Sequence, residues 1–252
     1  MIVNDGLNGL SMNTGCVEIK DQSDGLRVSL IRHTPDAKRV AFAAIRSCYS
    51  AGNAVDLFER EYEVYVARAA KNGEGDDAER LIREIMASGH TSTLEHIVFT
   101  FGVEGLSRAA LAQLTRHRVG WSYSVQSQRY VKQSSGSRHG EVEFRYPELE
   151  YLDDGKREKA GWLLGEYVND MQDTYDKLIG LGVKAEDARA VLGQGSCCNL
   201  VVSCNLRAFL DFWGKRKPGT HAQAEIQELA VKMKNRIVEA EPWVAGLLAL
   251  GN

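Results

Sequence analysis

The chain is short of proline, with four in 252 residues, and it carries no low-complexity linker and no internal repeat. Nothing in it marks a solenoid, a fibre or a jointed pair of domains, so one domain is the economical reading. Long apolar runs are missing too: no stretch approaches the roughly 18 residues that a membrane-spanning helix needs. Cysteine is sparse and unevenly scattered (Cys16, Cys48, Cys197, Cys198 and Cys204), with no CxxC pair and no zinc-type spacing. Such thiols read as reduced side chains in a cytoplasmic protein. Charge of one sign is absent as well. Lys plus Arg number 31 against 34 Asp plus Glu, a net charge of −3, too near neutrality for a general nucleic-acid or membrane-surface protein. Any basic patch is therefore local. The opening MIVNDGLNGLSMNTG has neither the basic start nor the apolar run of a secretory signal, and residues 1–24 read as a polar arm before a domain over 25–252. Gln133 to Gly140, the nearest thing to a seam, reads as a surface loop.

What is present is periodicity. Helical spacing runs over Ala37 to Tyr49, Val55 to Lys71, Asp77 to Ser88, Ser107 to Arg116, Lys156 to Ile179, Glu186 to Leu192, Leu206 to Lys215 and His221 to Ala240. Two-residue alternation of β-branched or aromatic residues predicts strands at Leu26 to Arg32, Ile97 to Glu104, Val125 to Lys132, Val142 to Tyr146 and Asn199 to Cys204. This order lacks regular βα alternation, so the expected fold class is α+β, a single helix-rich domain around a mainly antiparallel sheet. Gly193-Gln194-Gly195 follows a helix and lacks a third glycine, which excludes a dinucleotide fingerprint.

Chemistry concentrates in Gln113 to Tyr130, QLTRHRVGWSYSVQSQRY. It follows a helix whose Ala110, Leu111 and Leu114 face inward. One arginine at a helix end is explained by the helix dipole. Two arginines flanking a histidine, Arg116-His117-Arg118, exceed that explanation. Ser122, Tyr123, Ser124, Gln126, Ser127, Gln128 and Arg129 then supply short donors and a guanidinium, a set suited to phosphate and a base edge. A polar, solvent-facing strand is the plainer account of the same residues.

Arg-His-Arg followed by serine and Gln-Arg-Tyr resembles the signature of the flavin-dependent thymidylate synthases, the ThyX family. Further segments keep family order: Gly89 to His96 before Ile97-Val98-Phe99-Thr100-Phe101, Glu186-Asp187-Ala188-Arg189, Asn205-Leu206-Arg207, and Arg216 before His221-Ala222-Gln223. Together they span residues 26 to 243. Three departures stand out: eight residues rather than seven between Arg118 and Ser127, Leu192-Gly193 in place of Leu-Pro, and one extra residue between Arg216 and His221. The first insertion is placed at Gly120-Trp121, where glycine tolerates unusual backbone angles.

The resemblance implies reductive methylation of dUMP to dTMP with FAD, NADPH and methylenetetrahydrofolate, in a homotetramer whose active sites are shared between subunits. It implies flavin contacts from Arg116, His117, Arg118, Asn205, Arg207, His221 and His96. Nucleotide contacts fall to Gln113, Ser127, Gln128, Arg129, Arg189 and Arg216, with Arg216 at the uracil edge and, with His96, in the catalytic role. Ser127 binds substrate in this picture and does not attack it. Cys48 and Cys204 are expected to be buried or beside the cofactor, not nucleophilic. His96 taken alone is more often a structural histidine. His90, Glu95 and His96 lack the helical spacing of a zinc site, so no metal is expected. Two other readings compete: a UMP/dUMP methylase of modified-nucleoside biosynthesis, and a nucleic-acid-binding module, which the net acidity disfavours.

Overall fold

The computed structural model describes residues 25–70 and 75–250. The polar arm at 1–24, with Cys16, and the end of the expected helix at Lys71 lie outside the described residues. The chain runs β1 (Arg27–His33), α1 (Ala37–Ser47), α2 (Ala54–Asp56), a π turn (Leu57–Glu61), α3 (Tyr62–Val66), α4 (Asp77–Ala87) and a 3-10 turn (Thr91–His96). It continues with β2 (Val98–Ser107), α5 (Arg108–Leu114), β3 (Trp121–Val125), α6 (Asp154–Gly180), α7 (Ala185–Ala188) and a second 3-10 turn (Arg189–Val191). Last come β4 (Cys197–Asn205), α8 (Leu206–Arg216), α9 (Ala224–Ala240) and α10 (Val244–Leu250). The four strands form one antiparallel sheet in the order β1-β2-β4-β3, which bears out the α+β expectation.

Alternation decides which face of the sheet is covered. Phe99, Phe101 and Val103 of β2, and Leu200, Val202 and Cys204 of β4, point to one side and are buried with Phe209, Phe212, Ile226, Leu229 and Met233 of α8 and α9. The other face carries Val98, Thr100 and Glu104, Val201 and Ser203, and Ser122 and Ser124, and stays open. It retains apolar exposure, 53% at Ile31 and 43% at Val201. Thr100 and Ser203 share a hydrogen bond of 2.8 Å across it. The apolar stripe of α9 is thus core, the plain use of a helix with one apolar face.

Two expected strands fail. Pairing on β3 stops at Val125, followed only by Gln126 N–H donating to Asn199 O at 2.8 Å. Residues 127–131 instead turn, with Tyr130 and Val131 N–H both donating to Ser127 O. The alternation of Val125 to Lys132 therefore lies on a turn, and the true strand is one segment earlier. Val142 to Tyr146 makes a single bridge, Phe144 to Ser196. Its side chains pack on α6 through Met171 and not within the sheet. The helix expected to reach Lys71 ends at Val66, because Arg68, Ala69 and Ala70 pair back with residues 75–77. The expected start of α9 at His221 moves to Ala224, and α10 was not foreseen. The Gln133–Gly140 loop is tied to α6: Ser135 bonds Asp176 through both N–H and hydroxyl, and Gln172 donates to Gln133 O at 3.0 Å.

Gly195 shows how closely the bridge segment packs. A Cβ there would lie 2.3 Å from Cζ of Phe144, a fully ring-blocked position. Gly195→Ala is expected to cost about 1–3 kcal/mol through overpacking, a fall of several degrees in melting temperature by differential scanning calorimetry.

Candidate active site

The Arg-His-Arg turn is aimed by the helix before it. Ser107 caps α5, its Oγ accepting from Ala110 N–H at 3.0 Å, while its own N–H and hydroxyl donate to the buried Glu225 carboxylate at 2.8 and 2.6 Å. This fixes α5 against α9. At the other end the phenol of Tyr123 reaches His117 O (2.5 Å) and Leu114 O (3.0 Å), the latter also accepting the His117 N–H, so one hydroxyl ties the turn to the end of the helix. Tyr123 is consequently a brace, not one of the outward donors its position between Ser122 and Ser124 suggests. Burial pushes its phenol well above the ordinary range, so it stays protonated.

Arg116 and Arg118 are exposed and make no ion pair among the described residues. His117 behaves differently: its side chain is 8% exposed. The ring stands edge-on to Phe212 at 5.0 Å and lies 6.1 Å from Trp121. Its Nε2 accepts from Arg216 Nε at 3.3 Å, and its Nδ1 lies 3.9 Å from Asp211 Oδ2. Burial, then the Arg216 charge, hold its pKa below the usual histidine value.

Helix α8 connects these groups. Asn205 caps it, Oδ1 accepting from Ala208 N–H at 2.8 Å, and its backbone N–H donates to Gly120 O at 3.0 Å. Gly120 has φ +75°, and a Cβ there would lie 2.7 Å from Asn205 Nδ2, so the residue at the insertion has to be glycine on both counts. Arg207, at the helix start, pairs with Glu95 at 2.5 Å, beside His96, which is exposed at the end of its 3-10 turn. Arg216 closes the helix, about 13 Å along the axis from Arg207 at about 1.5 Å per residue. His221 is exposed in the following loop, which Gln227 pins by donating to Thr220 O and Ala222 O. Gln113 donates to Gln223 at 2.5 Å.

A second station forms around Glu186. Arg129 lies 3.5 Å from its carboxylate, Lys184 lies 3.9 Å from it, and Arg189 Nε donates to its backbone O at 3.1 Å. The Ser127 hydroxyl accepts from Arg129 N–H at 3.2 Å, and Gln128 donates to Gln133 at 3.1 Å. An open cleft of about 410 Å³ beside it is lined by Arg129, Tyr130, Lys132, Lys184 and Glu186. Within one chain the structure gathers Gln113, Arg116, His117, Arg118, Asn205, Arg207, Arg216, His221 and His96 around α8 and its neighbours. It gathers Ser127, Gln128, Arg129 and Arg189 around Glu186, and among the described residues no hydrogen bond or ion pair joins the two groups. Asp211, Phe212 and Glu186 order these stations without having been given a site role from sequence, although Glu186 opens the Glu186-Asp187-Ala188-Arg189 segment. Their signal is faint, since an acid or aromatic on an amphipathic helix is unremarkable.

The thiols sit apart from this chemistry. Cys204 is fully buried with its thiol pushed far up by desolvation, and Cys197 is pushed up to about 12, so neither is a thiolate at neutral pH. Cys48, contrary to expectation, is exposed at the end of α1. Among the described residues no helix is long and apolar enough to cross a membrane.

A buried histidine with a lowered pKa binds its proton more readily when unfolded. Stability is therefore fully present above the unfolded value of about 6.5 and declines as pH falls below it. Denaturant titrations at about pH 7.5 and about pH 5 are expected to show a larger loss for the native sequence than for His117→Phe, which cannot titrate.

The family described as thymidylate synthase complementing protein, Thy1, matches residues 29–243. A flavin-dependent thymidylate synthase of Geobacter sulfurreducens is 34% identical over 219 residues, covering 87% of this chain and 85% of that protein. One from Nitratidesulfovibrio vulgaris is 33% identical over 225 residues, with coverage of 86% and 84%. Among solved structures, the UMP/dUMP methylase PolB of Streptomyces cacaoi, bound with 5-Br dUMP, superposes with a TM-score of 0.66 at 23% identity, covering 86% of this chain and 92% of that one. Thymidylate Synthase X of Helicobacter pylori, with FAD and dUMP, superposes at 0.59, also at 23% identity, over 84% and 92%. These two superpositions speak to fold; the sequence matches reach further, and the chain belongs to the flavin-dependent thymidylate synthase family.

Proposed function

We propose that the protein is a flavin-dependent methyltransferase that converts dUMP to dTMP, using NADPH as hydride donor and methylenetetrahydrofolate as the one-carbon source. The observation that carries this is a pair of cationic stations with a division of labour. At the first, Arg116 and Arg118 stand exposed, with no ion pair among the described residues, on the turn whose Gly120 O accepts from Asn205 N–H. At the second, Arg129 and Arg189 converge on one residue, Glu186.

The donors fit the group they would hold. Free guanidinium groups complement an anionic dinucleotide and the charge of a reduced flavin ring. The missing Cβ at Gly120 lets a backbone approach that no other residue allows. Arg116, Arg118, Asn205, Arg207, His221 and His96 would hold FAD, which when bound supplies the hydride chemistry; the His117 ring is turned inward between the two arginines, only 8% exposed. Ser127, Gln128, Arg129, Arg189 and Gln113 would bind the nucleotide; guanidinium forks suit its phosphate, and displacing Glu186 from Arg129 would free one of them. Arg216 would lie at the uracil edge and His96 beside the reacting groups, the two carrying the catalytic role. Cys197 and Cys204 have no nucleophilic place in this scheme, because their buried thiols stay protonated.

Two stations apart in one chain, and a sheet face left open with apolar side chains on it, support a homotetramer with active sites assembled from several copies. We read residues 25–252 as the catalytic domain and residues 1–24 as an arm attached to it. Free thiols at Cys48, Cys197, Cys198 and Cys204 suit a reducing, cytoplasmic setting.

Three measurements test this. Purified protein is expected to be yellow and to bleach faster with NADPH when dUMP is present. Turnover with the folate donor is expected with dUMP, whereas preferential turnover of UMP would move the substrate to the ribonucleotide. Arg118→Ala is expected to lose flavin absorbance, while Arg129→Ala keeps flavin and binds dUMP at least about tenfold more weakly, the scale of a charge-assisted hydrogen bond. Full activity in both variants would refute the assignment.

A further inference from the structure

His117 is set apart from the two arginines that flank it. Arg116 and Arg118 are exposed; the imidazole between them is packed on Phe212 and Trp121. Its backbone is held at both ends, N–H donating to Leu114 O at 3.0 Å and O accepting from Tyr123. Among the described residues a ring fixed this firmly has one polar contact within hydrogen-bond reach, the Nε of Arg216 at 3.3 Å. Arginine Nε–H is a donor only, so His117 Nε2 must present its lone pair. The ring proton then sits on Nδ1, on the side of Asp211.

We propose that His117 is a positioning residue: as a neutral imidazole it accepts the Arg216 Nε–H and orients that guanidinium for the nucleotide, and protonation of His117 releases it. Holding an arginine through Nε keeps both terminal nitrogens as a donor fork for a ligand. This rests on the reading that Arg216 contacts the pyrimidine nucleotide. It departs from what the family resemblance implies for His117 in giving that side chain a role through Arg216 and not as one more hand on the flavin.

The surroundings favour the neutral form. Arg216 and Lys215 on α8 are cationic, and Asp211, the one nearby carboxylate on that helix, bonds Lys215 at 2.7 Å. From β3 the ring meets Trp121, and the adjacent Tyr123 phenol stays protonated. Phe212 contributes no charge. Burial and Arg216 lower the pKa of His117, so the contact persists through neutral pH and is lost only in mild acid.

The test uses flavin-loaded enzyme bearing His117→Phe, His117→Gln, Arg216→Ala, or His117→Phe combined with Arg216→Ala. Phenylalanine keeps the packing on Phe212 and removes the acceptor; glutamine supplies a carbonyl acceptor that cannot titrate. His117→Phe is expected to retain flavin and to lose about ten- to hundredfold in kcat/KM for dUMP, the range of a hydrogen bond to a charged group. His117→Gln recovers most of that loss. His117→Phe adds nothing further in the Arg216→Ala background, as two residues acting in series require. The native enzyme shows an acid limb in kcat/KM below about pH 6.5 that His117→Gln lacks, a comparison that survives if His117→Phe fails to fold.

Loss of flavin from His117→Phe would overturn the proposal by making His117 a direct cofactor contact. So would native kinetics in His117→Phe, additive losses in the double variant, or an acid limb unchanged in His117→Gln. If Arg216→Ala itself keeps native nucleotide kinetics, the reading of Arg216 fails first, and the positioning role falls with it.

Discussion

Where β2 runs into α5, a carboxylate and a serine are buried together, and the geometry downstream depends on that joint. Glu225 enters the interior from the first turn of α9 and receives both the N–H and the hydroxyl of Ser107. The same hydroxyl caps α5. A buried carboxylate without such donors would be costly. With them, α5 can leave the sheet in only one direction, and its seven residues deliver Arg116, His117 and Arg118 beside α8.

Helix α8 is the second fixed body. It begins at the Asn205 cap against Gly120 and ends with Arg216 against His117. The turn after α5 is therefore tied at both ends of one rigid helix, and the brace from Tyr123 closes the triangle. Rigid support of this kind suits a site made of long side chains, because an arginine anchored at Nε loses less freedom on binding than one waving in solvent. The cations at the Glu186 station are held more loosely. Arg129 is about half exposed, its bond to Glu186 is long, and the 127–130 turn carries it beyond the end of the sheet.

The successes and failures of periodicity have separable causes. Elements that contribute to the core were legible: Phe99, Phe101 and Val103 alternate because one face of β2 is buried, and Ile226, Leu229, Ala230, Met233 and Ile237 repeat because one side of α9 is. The segment from Val125 to Lys132 alternates equally well, yet its ladder with β4 ends at the Val125–Leu200 pair and one further bond from Gln126, after which the chain turns. Val142 to Tyr146 is apolar because it covers α6, not because it extends the sheet. Local pattern reports burial, and in both places burial came from something other than a strand ladder. The motif residues themselves were legible as a set. Their division into exposed arginines, a buried neutral histidine and a Glu186-centred group was not.

Residue order alone determined the family, the α+β class, the inward faces of most helices and the identity of the cationic groups, since each depends on composition or on neighbours within a few positions. Only the folded chain decided that Tyr123 is a brace, that Glu225 locks α5, that Cys48 is exposed while Cys204 is sealed, and that His117 meets Arg216 across 99 positions. Contacts over such separations depend on how α5, β3 and α8 pack against one sheet, and packing is a property of the assembled core that no short window of sequence contains.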